Sequence, residues 1–505
     1  MLQWARSLIG GRSDAVRIAE AGRDRAQAEA VVQTTQLLTA KYDNAQTTDE
    51  NKRNWWPADF YSAKAANSYS VRRTLRMRSR QEVSNNPWLW GICNNNADDL
   101  IGTGPTLQVL TKDSGYNREF EAAWKEWADE VGLIEKLRTQ KLARTIDGEG
   151  FLILKTANSL ENPVKLYPVD VEADQVTTYN PLSMAELYVD GLTLDPVTGR
   201  PVSYHVLRQH PGDFYFPELN PLEGDKVSAK FVLHTFPKFR PGQVRGVPVF
   251  TPSLDLFTEL RSFRRSVLGA AQISAALTAL ITQSDKFGAY PEGGYTAFKR
   301  VPIDRNMMTM LPPGADAKAF DPKQPGTSYE MFQEKCLTEA CRPLSYPLVA
   351  ALNSSKSFNF SSSRLDIVNY RSTLVIEREV DCNRVTLDPM LREWFYEALY
   401  SGAVRSFDGI KVPPHAWHWP GFEPLDPVVD AQADHERLSH GTDTLRDFWA
   451  RRGKDYEDIL DQQEKERIAL EKRKLVFGDP LKQNVTETVD DGSDASTSKE
   501  AAGAA

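Results

Sequence analysis

One apolar run, PSLDLFTELRSFRRSVLGAAQISAALTALI, fills residues 252–281. The spacing of its apolar residues predicts one long helix, roughly 45 Å in length at 1.5 Å per residue. Its most apolar part is interrupted by Gln272 and is shorter than the roughly 20 residues that cross a bilayer, so we expect no membrane anchor. The apolar residues fall at positions 254, 257, 260, 263, 267, 268, 271 and 275.

Two segments follow this helix. Residues 282–326 contain many of the chain's Pro and Gly residues around a β-like stretch at 307–311, which predicts a small compact insertion. A second helix is predicted at 327–341, and Arg342-Pro343 ends it. The apolar face of the first helix is too long for this insertion to cover, so we expect both helices to pack against other copies of the chain.

Loops and helices alternate from there to the end of the chain. A polar loop at 353–363 leads to a third long helix at 364–400, which is interrupted at Pro389. A Pro- and Trp-rich connection then precedes three shorter helices that end near Gly residues. Residues 484–505 have almost no apolar bulk, and we expect them to be disordered. The three helices are predicted at 427–440, 442–452 and 455–476.

Residues 55–251 combine helical and strand patterns, which predicts one α+β domain. A basic helical stretch at 71–83 is broken by Asn86-Pro87, which also starts a helix that runs to Ile101. Two more helical segments lie within 117–146. Short β-type runs then follow at 151–155, 164–169, 186–189, 202–206 and 231–236.

Composition limits the classes of function. With 505 residues the chain is long enough for two to four structural units. A net charge of -8 argues against general duplex binding, which needs an excess of Lys and Arg. The four cysteines have no metal-binding or disulfide spacing, which suits a reducing cytosol. The first ten residues do not form a signal peptide, and residues 12–47 predict only a marginal helix.

No motif for catalysis, cofactor binding or metal binding stands out. Gly102-Thr103-Gly104 lacks the further Gly and the Lys of a phosphate loop, and the DGEG sequence at 147–150 is better interpreted as a turn into a strand. His415 and His418 are only two potential ligands in a Pro-flanked irregular loop, whereas a metal site needs three or four. The carboxylates show no nuclease-like grouping, so we interpret them as solvated.

Two polar stretches keep more than one interpretation. The Ser triplet at 361–363 lacks the Gly-x-Ser-x-Gly of a nucleophile elbow and is interpreted as the cap of a helix that starts at Arg364. The basic stretch is interpreted as a nucleic-acid contact, a solvated helix face or a subunit contact. It consists of Arg72, Arg73, Arg76, Arg78 and Arg80.

Several blocks, in this order, resemble the lambda-type portal proteins of tailed bacteriophages. The similarity runs over roughly residues 40–478, and the order of the blocks carries it rather than any single block. The blocks are YD at 42–43, LRMRSR at 75–80, NNP at 85–87, IGTG at 101–104, RPGQVRGVP at 240–248, FSSSR at 360–364, WHW at 417–419 and DP at 426–427.

The resemblance implies an α+β, multi-domain portal fold with an α/β wing, a two-helix stem, a small clip insertion and a helical crown. Its predicted parts are an N-terminal helical arm at 1–54, the wing at 55–251, stem helices at 252–281 and 327–345, the clip at 282–326, a tunnel loop at 346–363, a long kinked helix and return to the wing at 364–426, the crown at 427–478 and a disordered tail at 479–505.

The resemblance also implies partners and a location. Portal subunits form a homo-oligomeric ring, usually of twelve copies, around double-stranded DNA at one capsid vertex of the virion, after assembly in the host cytoplasm. The large terminase and the head-completion or adaptor proteins dock on this ring, which also meets the major capsid and scaffolding proteins. We therefore expect no enzyme activity, no cofactor and no metal. A metal-dependent nucleic-acid hydrolase and the portal of a gene-transfer particle remain the alternatives.

The tunnel loop is the candidate DNA contact. Its short polar side chains can make and break hydrogen bonds to phosphates quickly, as sliding DNA requires. The alternative is a solvent loop that ends in a helix cap. The predicted DNA-facing residues are Asn353, Ser354, Ser355, Lys356, Ser357, Phe358 and Asn359.

Overall fold

The chain divides into two compact units, Met1–Ala66 and Asn67–Ala505. In the first unit the short helix α1 (Ala63–Ala66) is described; all the other elements below belong to the second. The predicted arm helix, the β-like stretch at 307–311 and the tail lie outside the described residues. Among the described residues, no helix is long and apolar enough to span a membrane. The computed structural model describes residues 53, 60–177, 188–213, 224–276, 280–283, 315–318, 328–354, 358–407, 409 and 411–473.

Four helices open the second unit, and local signals set their ends. Asn86 accepts a hydrogen bond from the backbone N–H of Trp88 at 3.1 Å, and Pro87 occupies the first turn, where its missing N–H costs nothing. Gly102, at φ 55°, ends the same helix. These breaks confirm the prediction. The helices are α2 (Tyr69–Asn85), α3 (Pro87–Ile101), α4 (Ser114–Glu130) and α5 (Leu133–Ile146).

The strands form small antiparallel sheets. The five predicted runs are present with shifted ends, and the sequence analysis missed three of the strands named below: β1, β5 and β7. One sheet has the order β3-β2-β8 and another the order β4-β5-β6-β7. The strands are β1 (Thr106–Val109), β2 (Gly150–Thr156), β3 (Leu166–Val171), β4 (Tyr188–Val189), β5 (Leu192–Leu194), β6 (Pro201–Leu207), β7 (Gly224–Ser228) and β8 (Val232–Thr235).

The first stem helix is shorter than predicted. Helix α6 (Leu254–Ala276) follows a 3₁₀ turn, and the chain then enters strand β9 (Leu280–Gln283). The helical spacing of apolar residues was predicted to continue to residue 281, but β9 pairs antiparallel with β10 (Ala315–Lys318). A partner strand thus decides the structure where local pattern is ambiguous. After it come α7 (Ser328–Cys341), which matches the second predicted helix, and the short α8 (Leu348–Leu352).

The third long helix starts earlier than predicted. Helix α9 (Phe360–Glu377) has Asn359 as its cap, and the Asn359 side chain accepts from the N–H of Ser361 at 3.0 Å. The interpretation of the Ser triplet as the cap of a helix at Arg364 is therefore wrong, because Asn359, two residues before the triplet begins, already supplies the acceptor.

The interruption of this helix also lies before Pro389 rather than at it. Residues Arg378–Leu387 form a π-helix, and α10 (Asp388–Ser401) continues from there with Pro389 in its first turn. Because proline cannot donate a hydrogen bond and its ring collides with the carbonyl four residues earlier, wider turns before it relieve the conflict.

The two histidines of the HAWH sequence lie in a strand, which corrects the prediction of an irregular loop. Strand β11 (His415–His418) pairs antiparallel with β1, over 300 residues earlier in the chain, a partner that local sequence does not reveal. His415 Nε2 lies 3.3 Å from a carboxylate oxygen of Asp388, whereas His418 Nε2 lies 2.6 Å from Oε1 of Gln108. The two imidazoles thus have separate partners and do not converge on a metal position.

Two of the last three helices end as predicted, whereas Gly478, the predicted end of the third, lies outside the described residues. Gly441 and Gly453 follow two of them with φ angles of 67° and 69°. The Asp426 side chain caps the first helix by accepting from the N–H of Val429 at 3.3 Å. The helices are α11 (Pro427–Ser439), α12 (Leu445–Ala450) and α13 (Tyr456–Arg473).

An aromatic core fixes α10 against α4. The ring of Trp394 packs edge-on against Trp124 at 5.2 Å and against Phe120 at 5.3 Å. Trp127 and Phe395 lie fully buried beside them. Aromatic rings bury large apolar areas, so the chain that returns from the long helix is held firmly by residues some 270 positions earlier.

Candidate functional site

The predicted tunnel loop, residues 346–363, is partly helical: it contains α8 and the first residues of α9, and the predicted DNA-facing residues 353–359 lie between these two helices. Asn353 ends α8 in the left-handed conformation, with φ 48° and ψ 40°, which Asn tolerates better than most residues. Asn353 and Ser354 are exposed, Phe358 is partly buried, and Asn359 caps α9. Ser355, Lys356 and Ser357 lie outside the described residues. The assignment of this loop as the DNA contact therefore stays a prediction.

Two tyrosines anchor the helices on either side of the loop. The rings of Tyr346 and Tyr370 meet edge to face at 5.1 Å. The Tyr370 hydroxyl donates to a carboxylate oxygen of Asp99 at 3.0 Å and accepts from the side-chain amide of Asn96 at 2.9 Å. Burial raises the pKa of Tyr346 to about 12 and also raises the pKa of Tyr370, so both phenols stay protonated. Both loop ends are thus fixed to α3.

The far end of α9 is held by charge. Glu377 accepts from the Lys141 ammonium at 2.6 Å and from the Arg144 guanidinium at 2.5 Å, and both cations belong to α5. Burial would raise the pKa of Glu377, but Lys141 and Arg144 outweigh it and lower this pKa. Arg378 donates to the Leu100 carbonyl at 2.8 Å, at the end of α3. These contacts make α9 a rigid strut behind the loop.

Three of the five arginines in the basic stretch of α2 have a role that none of its three interpretations gave, and the interpretations stay open for the other two. Arg72 and Arg76 are buried, and Arg80 is partly buried, because a four-residue spacing places them on one helix face. Arg73 and Arg78 remain exposed. The buried members pair with acidic groups of the same chain, so they are not available to DNA or to another subunit.

Glu149 lies at the centre of these pairs. It is fully buried, accepts from Arg245 at 2.7 and 2.9 Å and forms an ion pair with Arg76. It also accepts from the N–H of Gly246 at 2.9 Å, and Nε2 of His234 lies 3.1 Å away. Burial alone would raise the pKa of Glu149, but Arg245 and Arg76 hold it well below its usual value. The interpretation of the carboxylates as solvated is therefore wrong for this residue.

Further acidic groups complete the cluster. Arg72 pairs with Asp190, whose backbone carbonyl also accepts from Arg245 at 2.6 Å. Asp174 accepts from Arg76 at 2.9 Å and lies 2.8 Å from a guanidinium nitrogen of Arg80. We call Arg72, Arg76, Arg80 and Arg245, with Asp147, Glu149, Asp174 and Asp190, the arginine cluster.

Two glycine-containing segments pass each other inside the arginine cluster. A Cβ atom at Gly148 would lie 2.2 Å from the backbone carbonyl carbon of Val247, and one at Gly246 would lie 2.0 Å from the carbonyl oxygen of Gly148. No side chain fits there. The DGEG turn at 147–150 and the RGVP sequence at 245–248 are thus required together, and the turn into strand β2 is confirmed.

Within the described residues, one group of three potential metal ligands comes together: Glu172, Asp174 and His210. Arg80 already pairs with both carboxylates, at 3.3 Å from Glu172 and 2.8 Å from Asp174. A divalent cation at this position would therefore have to displace the guanidinium of Arg80 from both carboxylates.

The arginine cluster was not predicted, although most of the segments that form it stand out in the sequence. The four-residue spacing of Arg72, Arg76 and Arg80 was an available signal, since it predicts one basic helix face. The acidic partners Glu149 and Asp190 could not be chosen by pattern, because they are 73 and 118 residues away from the arginines they pair with.

Comparisons with known proteins agree with the resemblance seen in the sequence. The family model described as phage portal protein, lambda family, matches residues 49–378. A probable portal protein of Halomonas phage phiHAP-1 is 23% identical over 422 residues, which cover 78% of this chain and 80% of that protein.

Solved structures with similarity to the chain include a gene transfer agent particle and a phage portal protein. A chain of the native gene transfer agent virion is 11% identical with a TM-score of 0.38, covering 76% of this chain and 90% of its own length. An HK97 family phage portal protein from Corynebacterium diphtheriae is 12% identical with a TM-score of 0.28, covering 58% of this chain and 85% of its own length. The family assignment rests on the sequence match, which spans more than half of the residues. The chain belongs to the lambda family of phage portal proteins.

Proposed function

We propose that the chain is the portal subunit, or head-tail connector, of a tailed phage. In this proposal it forms a ring at one capsid vertex of the virion, through which DNA is packaged and later ejected. Membership of the portal family is the observation that carries the proposal. Heads assembled without this chain should fail to package DNA, and adding the chain should restore packaging; normal packaging without it would contradict the proposal.

Exposed apolar side chains on the stem helices support ring formation. Phe263 of α6 packs against Tyr329 and Phe332 of α7, with ring centroids 5.8 and 5.1 Å apart. Leu268 and Met331, on the same two helices, are each more than half exposed. Such a surface on a single copy favours contact with neighbouring copies, and the family resemblance implies twelve of them.

The ring would act as a conduit without chemistry of its own. Within the described residues, the buried carboxylates Glu149 and Glu377 are neutralised by cations of the same chain. A nuclease would need acidic oxygens free to bind magnesium. We therefore expect purified chain to leave duplex DNA intact in the presence of magnesium; magnesium-dependent cleavage would favour the hydrolase alternative instead.

The tunnel loop is proposed to meet the DNA. Its flanking helices are anchored to α3, so the polar segment that joins them starts and ends at fixed points. Reversing the charge of Lys356 adds one repelling group per subunit, multiplied around the ring. We expect Lys356→Glu to reduce packaging or retention of DNA while rings still form. Lys226→Glu, an exposed charge reversal in strand β7, is the matched control. Equal packaging by both variants would remove the loop from the DNA path.

The clip is proposed to dock the large terminase during packaging and the head-completion or adaptor proteins afterwards. Its Pro- and Gly-rich sequence predicts a rigid, exposed body rather than a core. Replacing residues 286–322 with a neutral linker should keep the ring and abolish partner binding, measured by co-sedimentation with purified terminase. Unchanged binding would reject the assignment. We also propose that the ring contacts the major capsid and scaffolding proteins, as the family resemblance implies.

A further inference from the structure

Polar side chains attach the start of α13 to α4 and β1. Asp455, directly before α13, accepts from the side-chain amide of Gln108 in β1 at 2.5 Å. The side-chain oxygen of the same glutamine accepts from Nε2 of His418 in β11 at 2.6 Å. One turn further along α13, Asp461 pairs with Arg118 of α4 at 2.6 Å. The helix is thus attached through charged and polar groups, whose strength depends on protonation.

The turn between α12 and α13 is fixed by backbone packing. A Cβ atom at Gly453 would lie 2.6 Å from the carbonyl oxygen of Trp419, and one at Gly421 would lie 2.6 Å from the carbonyl oxygen of Arg451. Two backbone segments therefore meet with a glycine on each side, and no side chain fits between them. Because α13 begins just after this fixed turn, weaker contacts with α4 and β1 would let the helix swing about it.

A polar cavity of about 230 Å³ lies where α4 and β1 meet α12 and α13. Glu121 of α4 is partly buried there and accepts from the backbone N–H of Val109 in β1 at 2.6 Å. Within the described part of the chain, no Lys or Arg forms an ion pair with Glu121. Four carboxylates and two arginines line the cavity: Glu121, Asp455, Glu457, Asp458, Arg118 and Arg446.

The nearby cations leave Glu121 among like charges. Arg118 is already paired with Asp461, and Arg446 of α12 is exposed. Lys125, one turn after Glu121 on α4, is also exposed and does not line the cavity. Burial and the three other carboxylates of the cavity raise the pKa of Glu121 to about 7, although the bond from the Val109 N–H lowers it.

We propose that the protonation state of Glu121 controls how firmly α13 is attached to α4 and β1. A proton on Glu121 removes one of four negative charges from the cavity, and α13 stays attached. Loss of that proton places a carboxylate beside three others in a partly buried position, and the repulsion loosens the helix. The contact lies inside one copy, so the proposal is tested separately from the proposed ring.

The pH range follows from the two states of the helix. With α13 attached, the pKa of Glu121 is raised from 4.5 to about 7, so attachment is strongest below pH 4.5 and weakens as the pH rises to about 7. Burial lowers the pKa of His418, so the titration of this ring would weaken the contact as the pH falls. The two groups thus act in opposite directions and can be told apart.

Hydrogen–deuterium exchange of the purified chain measures the attachment. Each rate is divided by that of an unfolded reference at the same pH, which removes the intrinsic effect of pH on exchange. A detached helix of 18 residues is only marginally stable in water, so its amides lose protection. We expect protection at residues 456–465 to fall about tenfold from pH 6 to pH 8, while α10 keeps its protection. Protection of α13 that stayed constant or rose with pH would overturn the proposal.

Variants identify the group that titrates. Glu121→Gln keeps an acceptor for the Val109 N–H without the charge, so α13 should be equally protected at pH 6 and pH 8. Glu126→Gln, at an exposed glutamate of α4, is the control and should follow the parent. A tenfold fall that persisted in Glu121→Gln would contradict the proposal. If Glu121→Gln does not fold, Asp458→Asn decides: removing one facing carboxylate should make the fall smaller, and an unchanged fall would contradict the proposal.

Discussion

The arginine cluster places charged side chains inside the protein, whereas helix α9 exposes apolar side chains at the surface. In the cluster, Glu149, Arg76 and Arg245 lie inside the protein, where isolated charges are most costly. On α9, Leu365 and Ile376 lie outside, where apolar groups gain nothing. The cluster is complete within one copy, because each buried charge has a partner of opposite sign. The exposed apolar side chains of α9 have no such partners among the described residues of one copy. The cluster therefore stabilises the single subunit, whereas these side chains of α9 do not.

The largest expected effect comes from breaking the cluster at its centre. Glu149→Ala leaves Arg76 and Arg245 buried without their carboxylate, which typically costs about 3–5 kcal/mol of unfolding free energy. Urea unfolding followed by circular dichroism measures the loss. Asp225→Ala, which removes an exposed ion pair with Arg208, is the control and should leave the midpoint unchanged. Similar midpoints for both variants would show that the cluster does not hold the wing together.

A smaller effect is expected on the inner side of α9. Tyr370→Phe removes a buried hydroxyl and leaves Asn96 and Asp99 without that partner, which should cost about 1–2 kcal/mol in the same unfolding experiment. Tyr400→Phe, at an almost fully exposed tyrosine of α10, is the control. If both variants unfold like the parent, the tyrosine anchor of the loop is not an energetic constraint and the rigid-strut account of α9 is wrong.

The smallest effect is a dependence on pH. Burial lowers the pKa of His234 below its usual 6.5, so the folded chain binds this proton less readily than the unfolded chain. Its contribution to stability is complete above about pH 6.5 and is lost as the pH falls, with a slope of at most about 1.4 kcal/mol per pH unit. Glu149 adds a loss only below its usual pKa of 4.5, since its folded pKa is depressed.

Urea midpoints between pH 5 and pH 8 measure this slope. We expect His234→Gln to flatten the part between pH 6.5 and pH 5, because the proton that the unfolded chain takes up is no longer there. His440→Gln, at an exposed histidine, is the control. A parent chain whose stability did not change over this range would contradict the burial of His234 as a neutral ring.

Local signals in the sequence predicted where helices end, but they did not predict which distant strands pair. Asn86-Pro87, Gly441 and Gly453 end helices through their own backbone chemistry, and a reader of the sequence can recognise them. The pairing of β1 with β11 depends on residues over 300 positions apart. No local pattern contains that information.

The candidate sites show the same division. The polarity of the tunnel loop was evident from its composition, and the cap at Asn359 was missed only because a Ser triplet offered a second acceptor nearby. The burial of Arg72 and Arg76 was not predictable, since an arginine-rich helix face looks the same whether water, DNA or Glu149 lies opposite. The exposed apolar side of α9 was not predicted for a related reason. Because Tyr370 and Leu374 lie on the other side of the helix, its sequence has no single apolar stripe.

Native mass spectrometry of the purified chain, over a range of salt and protein concentrations, measures whether the subunits form the proposed ring. The account predicts one dominant species at an integral multiple, expected to be twelve, of the 56.8 kDa chain mass. That species should persist at moderate salt, because the exposed side chains of Leu268 and Met331 on the stem helices are apolar and salt does not screen their contacts. A chain that remained monomeric at high concentration under every salt condition would contradict the proposed portal ring.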